Sequence, residues 1–516
     1  FQMPGGLLSD EERTRLLSLG LEVAPANEAR LERELGWIYA ALCAVTEQVV
    51  LSTGGGQPSY LLERTERLFP QHPILRDEDY PYLPDAATAA ASFVRQERTE
   101  LLSAHPALLQ VAWELQSRSR FDFSPLDPAR VRGLYGAEIR LSASKLDKFS
   151  ACKYQYFLQY GLKSEPWKQV RFDAPVFGTF VHYVLEQTVR DVMAQGGFSA
   201  VGETELAAIA ERHIRAYAET WLPDLASRGA RFAYLFARSR REVREIVADV
   251  GRELRNSDFR PVDTELSFMR GGALPPVEVR GQKGSSLITG FVDRVDLLDA
   301  GNAAYYRVID YKTGRKEFGY ASILEGEGLQ MLIYLFALRK YGAQRYGKPL
   351  IPAGVLYVPS RSDMERVDPG ESPEDIQVLR QKKKRRKGLV LADDAVLQAM
   401  EHGEVPEYLP VQVKKSGLTG DLATREQFAQ MERFVAQSLE EMTDAMLSGV
   451  VAPDPLIRGP MASSCQYCDY QGACHQDLCA IHKRYIAAVK PERFWQEVER
   501  RLDHAGHTDE GPTGSR

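Results

Sequence analysis

The stretch from Gly290 to Gly314 reads GFVDRVDLLDAGNAAYYRVIDYKTG. Two runs rich in Val, Ile, Leu and Tyr flank Asp299-Ala300-Gly301-Asn302. β-Formers on either side of a Gly/Asn/Asp cluster predict an antiparallel hairpin. With an even loop centred between Ala300 and Gly301, position i faces position 601 minus i, which sets Asp293 opposite Val308 and diagonal to Asp310. Side chains alternate along a strand, so Asp293, Asp310 and Lys312 share one face, with diagonal pairs about 7 to 8 Å apart. Two carboxylates and an ammonium at that spacing suit a hard divalent cation such as Mg²⁺, with the lysine free to steady an attacking hydroxide or phosphorane charge. A lone Asp-x-Lys is ordinarily a surface ion pair. Here it lies beside Val308 and Ile309 in an apolar strand, where unpaired charge is costly. Asp296 falls on the opposite face, with Arg294 and Arg307 as expected partners. It is read as structural, and its removal is expected to serve as a control.

With these residues in view, G-F-V-D followed by I-D-Y-K resembles the catalytic core of the PD-(D/E)XK nucleases of the RecB and AddB type. G-T-F-V-H ending at His182, Glu265 in PVDTELSF and the Gln330-Met-Leu-Ile-Tyr334 segment follow the order of that pattern. The resemblance implies an α/β nuclease core, a mixed central sheet flanked by helices. It places His182 beside the metal with Asp293 and Asp310, and turns Gln330 and Tyr334 toward the DNA backbone and Lys312. Glu265 reads equally as a further metal carboxylate or as a salt-bridged structural residue. Without the resemblance, Met331, Leu332, Leu335, Phe336 and Leu338 say only that their helix packs on a sheet. Gly178, four residues before His182, is expected to allow close approach of a DNA strand or another backbone.

Cys465-x-x-Cys468-x5-Cys474 places three thiols within ten residues, a spacing that grips one metal centre without strain. The resemblance names Cys152 as the fourth ligand of a 4Fe-4S clasp, while Cys479 is the rival nearer in sequence; zinc is the alternative metal. Cys43, on an apolar helical face, is expected to be simple packing. The six-residue basic run Lys382-Lys383-Lys384-Arg385-Arg386-Lys387 reads either as a solvated loop or as a tracker of DNA phosphates.

The chain has 516 residues, a formal charge of -6 and a pI near 6.0. No global positive field draws it to nucleic acid, so DNA contacts must be local. Six cysteines are too few and too unevenly spaced for a secreted disulfide scaffold, and no signal peptide or long apolar span is evident. A bacterial cytoplasmic protein is expected. The start at Phe1 suggests a piece of a longer polypeptide. No GxxxxGK[ST] loop occurs, which excludes an autonomous ATPase of that class.

Residues 1–140 read as mainly helical, with a Ser9/Glu12 capping box, an apolar face of Leu31, Leu35, Ile38, Leu42 and Val45, and a short strand at Val49–Ser52. The segment resembles, more loosely, the end of the helicase-like region of the AddB type. Pro-rich stretches at 69–84 and 121–128 are expected linkers. Residues 141–490 form the nuclease domain, with helices near 174–195, 202–222, 229–255, 329–341 and 424–447 and a strand at 353–358. Residues 491–516 hold the end of a helix and a tail disordered from Asp503. The resemblance implies a Mg²⁺-dependent exonuclease that cuts one unwound strand during double-strand break repair, beside an AddA-type helicase-nuclease subunit. An inactive DNA-end-binding module held by an iron-sulfur or zinc clasp is the other reading.

Overall fold

The computed structural model describes residues 8–21, 27–47, 60–71, 123–164, 174–222, 230–312, 318–360, 384–459, 462–474 and 481–508, positions 137 and 416 excepted, with Val23, Val49, Leu51, Gln110, Glu114, Gly314 and Ser372 described singly. The chain divides into a unit of residues 1–116 and a unit of residues 117–516.

In the first unit, helices run over Asp10–Ser18, Asn27–Cys43 and Tyr60–Leu68. The first begins at the expected capping box, in which Ser9 and Glu12 satisfy each other's backbone N–H groups. Val49 and Leu51 are not in a strand, against expectation. Cys43 is exposed and therefore not a packing residue.

The second unit starts earlier than position 140. Leu126 donates its N–H to the Gly449 carbonyl at 2.9 Å, and the helix Pro128–Tyr135 buries Val131 before the first strand begins. The strands that follow are β1 (Ile139–Ser142), β2 (Arg260–Phe268), β3 (Val277–Arg280), β4 (Ser285–Asp299), β5 (Ala304–Lys312), β6 (Leu350–Pro359) and β7 (Lys387–Leu391). With the short strand Leu422–Ala423 they make an eight-stranded mixed sheet. Its order is β1-β4-β5-β6-β7 and then Leu422–Ala423, with β2 and β3 also paired to β4. The long β4 serves two sets of partners. Its first half pairs in parallel with β1 and antiparallel with β3, and its second half lies antiparallel between β2 and β5.

The β4–β5 hairpin forms, but in a different register. Arg294 faces Ile309 and Asp299 faces Ala304, so paired positions sum to 603 and the turn is the four residues Ala300 to Ala303, closed by Ala300 N–H to Ala303 O at 3.0 Å. A shift of two keeps every side chain on its expected face, because the strand period is two. Continued one pair further, this register brings Asp293 level with Asp310.

Helices Ala174–Ala194, Glu203–Trp221 and Ala230–Arg255 precede β2, and Gln330–Tyr346 and Arg425–Leu447 follow the hairpin. One continuous core joins Phe180, Val181 and Val184 of the first helix to Val292, Val295, Val308 and Ile309 of the hairpin, and to Leu332 and Leu335 of the fourth. The final helix runs over Pro491–Thr508, past the expected boundary at Asp503, with Phe494 and Val498 fully buried. Packing of that stripe holds a segment whose polar end reads as a tail.

The face of the hairpin carrying Asp296 buries a network of charge. Arg294 donates to both Asp296 carboxylate oxygens at 2.8 and 3.0 Å, and Arg307 donates to Asp296 at 2.9 Å. Asp249 and Glu253 of the helix Ala230–Arg255 hold Arg386 from the same side. Three guanidiniums and three carboxylates thus cancel inside the protein. The Arg386 side chain is 1% exposed and stacks over Tyr408, 4.7 Å from the ring centroid. The basic run is therefore corrected at this residue, which is neither a solvated loop position nor a phosphate contact. Lys384 lies 3.2 Å from Asp249, Arg385 bonds the Pro406 carbonyl, and Lys387 begins β7; Lys382 and Lys383 lie outside the described residues.

Candidate active site

His182 is carried on the helix Ala174–Ala194, Glu265 on β2, Asp293 on β4, and Asp310 and Lys312 on β5. His182 Nε2 lies 2.8 Å from the Tyr311 carbonyl oxygen, so this nitrogen bears the proton that donates to it. The other ring nitrogen, Nδ1, then faces 3.5 Å from Asp293 and 4.0 Å from Glu265. One ligand atom from each of His182, Glu265 and Asp293 falls within 4.8 Å of the others. An imidazole oriented through its far N–H toward a carbonyl is a common second contact of a metal-binding histidine.

Glu265 reaches this position through unusual backbone. Its φ is 49°, in the left-handed region that a side chain rarely occupies. The β2–β4 pairing is otherwise regular from Asp263 to Phe268, with Thr264 facing Arg294 and Leu266 facing Val292. The strained residue is the one level with Asp293. Such strain costs on the order of 1 to 3 kcal/mol and persists where surrounding structure enforces it.

Asp310 stands apart from this trio of ligand atoms. Its Oδ1 accepts from Lys312 Nζ at 2.9 Å, and Oδ2 lies 2.7 Å from the same ammonium. Asp293 Oδ2 accepts the Tyr311 N–H at 2.7 Å, which ties its carboxylate to the strand between Asp310 and Lys312. Burial pushes the Asp293 carboxyl up to about 7, assisted by the negative charge of Asp310 and Glu265 and opposed by His182. Burial alone would lower the His182 pKa, but the Glu265 hydrogen bond, Asp293, the Tyr311 carbonyl and Asp310 together raise it to about 9. Carboxylates crowded together are thus holding protons in place of a cation. A divalent ion meets the same negative field and displaces those protons.

Tyr334 is buried on the helix Gln330–Tyr346, its ring stacked on Phe268 with centroids 5.2 Å apart. Its hydroxyl lies directly over Gly290, where a Cβ would overlap it. Burial and the charges of Asp310 and Asp293 push that hydroxyl up to about 12, so it remains a donor. Gln330 is the first residue of the same helix and half-buried; Gly178 is half-buried one turn before His182.

Cys152, Cys465, Cys468 and Cys474 line one small cavity together with Tyr154, Pro453 and Tyr470. Burial raises the Cys152 thiol pKa, and raises that of Cys468, with Cys465 and Cys474 adding to the effect. Four thiols drawn from positions more than 300 apart into one pocket are a donor set that fits a cysteine-ligated metal centre. Cys479 lies outside the described residues.

Sequence reasoning missed the Tyr311 carbonyl, since a backbone oxygen leaves no mark in composition. It also missed Asp249 and Glu253. Their spacing of four on a helix whose neighbouring positions are Ile246, Val247, Val250 and Leu254 was a readable signal of buried acids in search of cations.

A strand-borne pair of carboxylates with a lysine two residues on, a histidine from the preceding helical layer and a mixed sheet define a nuclease-type core. Residues 140–475 match the PD-(D/E)XK nuclease superfamily, and the chain belongs to it. Among curated proteins it is similar to an ATP-dependent helicase/deoxyribonuclease subunit of Clostridium botulinum (strain Hall), 26% identical, covering 97% of this chain and 47% of the relative. The protein of the same name from Ruminiclostridium cellulolyticum is 27% identical over 92% of this chain and 45% of the relative, and that from Caldanaerobacter subterraneus 27% over 98% and 47%. The chain spans about half the length of the curated relatives it matches.

Proposed function

We propose that this chain is the nuclease portion of a bacterial helicase-nuclease, cleaving one unwound DNA strand by Mg²⁺-dependent phosphodiester hydrolysis during the processing of double-strand breaks. The observation that carries the reading is the convergence of His182, Glu265 and Asp293 beside the Asp310–Lys312 pair. His182, Glu265 and Asp293 would hold the ion, with Asp310 as its neighbour. A bound Mg²⁺ would polarise the phosphate and lower the pKa of a water molecule. The protein's own groups do the rest. The Tyr311 carbonyl fixes the imidazole tautomer, and the Tyr311 N–H fixes the Asp293 carboxylate. Lys312 offers an ammonium to the attacking water or to the charge that builds on phosphorus as the bridging P–O bond breaks. Tyr334 and Gln330 border the site from the adjoining helix, where they would position the scissile strand.

The four-cysteine cavity supports a 4Fe-4S clasp joining the start of the nuclease domain to its end, and the names of the relatives support a partner subunit of AddA type and DNA as substrate. Among the described residues no helix is long and apolar enough to cross a membrane, in keeping with a cytoplasmic enzyme. The test is cleavage of a labelled single-stranded oligonucleotide with and without Mg²⁺, comparing wild type with Asp310→Ala and Lys312→Ala. Both substitutions are expected to abolish cutting, and Lys312→Ala to retain Mn²⁺ binding. DNA-end binding without any metal-dependent cutting by the wild type would favour a purely binding module.

A further inference from the structure

Between the helices Tyr320–Leu324 and Gln330–Tyr346 lies a loop, Glu325-Gly326-Glu327-Gly328, that is gripped from two directions. From the helix Ala143–Ala151, which runs directly into Cys152, Asp147 accepts the Gly328 N–H at 2.8 Å and Ser150 donates to the Gly326 carbonyl at 2.9 Å. From the lobe that carries the other three cysteines, Arg458 on the strand Leu456–Gly459 forms an ion pair with Glu327. Arg484 on the strand Arg484–Tyr485 lies 3.3 Å from Glu325 and 3.2 Å from Asp454, and also bonds the Ser150 carbonyl. Both chain segments that supply the cysteine cavity therefore hold the same four residues. Two positions beyond that loop comes Gln330, and one turn later Tyr334, whose hydroxyl lies over Gly290 and beside Asp293.

We infer that Arg458 is a positioning residue for the nuclease centre: through Glu327 the cysteine lobe fixes the first turn of the Gln330–Tyr346 helix, and thereby the placement of Gln330 and Tyr334 over the hairpin. The inference rests on the nuclease reading given above. Glu327 is 8% exposed, while the Arg458 side chain is 39% exposed. An ion pair open to water on one side contributes little to global stability. Its effect is local, on a helix start with no side-chain cap of its own.

The experiment uses the full chain with Arg458→Ala, Arg458→Lys, Glu327→Gln and the Arg458→Ala/Glu327→Gln double variant. Amide hydrogen exchange at residues 329–334 is measured, together with kcat and KM on a single-stranded oligodeoxynucleotide with Mg²⁺, and Mn²⁺ affinity by calorimetry. Arg458→Ala is expected to speed exchange in that turn and to lower kcat about tenfold, with KM and Mn²⁺ affinity within about twofold. Glu327→Gln should match it, the double variant should lose no more, and Arg458→Lys should recover part. Unchanged exchange with kcat within twofold in both single variants overturns the inference, as does additive loss in the double variant. If the wild type does not cut DNA, the nuclease reading fails, and the exchange measurements still decide whether Arg458 orders the helix start.

Discussion

Replacing Asp296 with alanine removes the one carboxylate shared by Arg294 and Arg307, all three side chains being 0% exposed. After the change Arg294 keeps its 2.7 Å contact with the Tyr311 hydroxyl, and Arg307 keeps Glu253 at 3.9 Å and its position over the Phe259 ring. Three buried guanidiniums then face two carboxylates, Asp249 and Glu253. Breaking a buried pair by removing one partner costs about 3 to 5 kcal/mol, because an uncompensated charge stays in a medium of low dielectric. Native domains are stable by about 5 to 15 kcal/mol, so the loss is a large share of the total. At a urea slope near 3 kcal/mol/M the unfolding midpoint should fall by about 1 to 2 M, followed by circular dichroism. Asp296→Asn, which keeps an acceptor without the charge, should fall between. Asp296→Ala is accordingly unsuited to serve as a silent control for Asp293→Ala: it will lower activity through the fold. A folded Asp296→Ala protein within about 1 kcal/mol of wild type would refute the charge-balance argument.

Glu265→Gly should relieve the left-handed backbone, leaving thermal stability equal or raised by about 1 kcal/mol, while Mn²⁺ affinity measured by calorimetry falls; Glu265→Ala should lose affinity without the gain, and equal melting temperatures for the two would remove strain from the account. Gly290→Ala forces Tyr334 aside and should cost about 1 to 3 kcal/mol in urea unfolding, with part recovered in Gly290→Ala/Tyr334→Phe; fully additive losses would place the clash elsewhere. The Glu253 carboxyl, buried but surrounded by Arg386, Arg307 and Arg294, falls from 4.5 to about 2. A depressed folded-state pKa gives stability that is present above the unfolded value and lost as pH falls through the folded one. This group alone therefore contributes a slope of about 1.4 kcal/mol per pH unit between those values, and urea midpoints that stay flat from pH 4.5 to 3 would contradict it. Cys152→Ser should remove bound iron and visible absorbance from protein purified without oxygen and open residues 140–165 to protease, whereas Cys479→Ser should not; the reverse outcome would make the metal centre local to the C-terminal lobe.

The β4–β5 hairpin was legible from the sequence because period-two alternation and a Gly/Asn turn are local properties. The same alternation sorted Asp293 from Asp296, since a register error of two residues leaves faces unchanged. The helices around His182 and Gln330 were legible for the same reason, their apolar stripes repeating at helical spacing. What the chain by itself could not supply was depth. Arg386 sits in a run of six basic residues that reads as solvated, yet Asp249 and Glu253, 137 and 133 positions away, draw it to full burial. Glu265 looked like one of many strand carboxylates, and only the pairing of β2 with β4 sets its left-handed kink level with Asp293. The grip of Arg458 and Asp147 on a single four-residue loop likewise exists only after the two ends of the domain have met. Charge pairing and backbone strain are decided by which surfaces exclude water together, and that is a property of the folded chain.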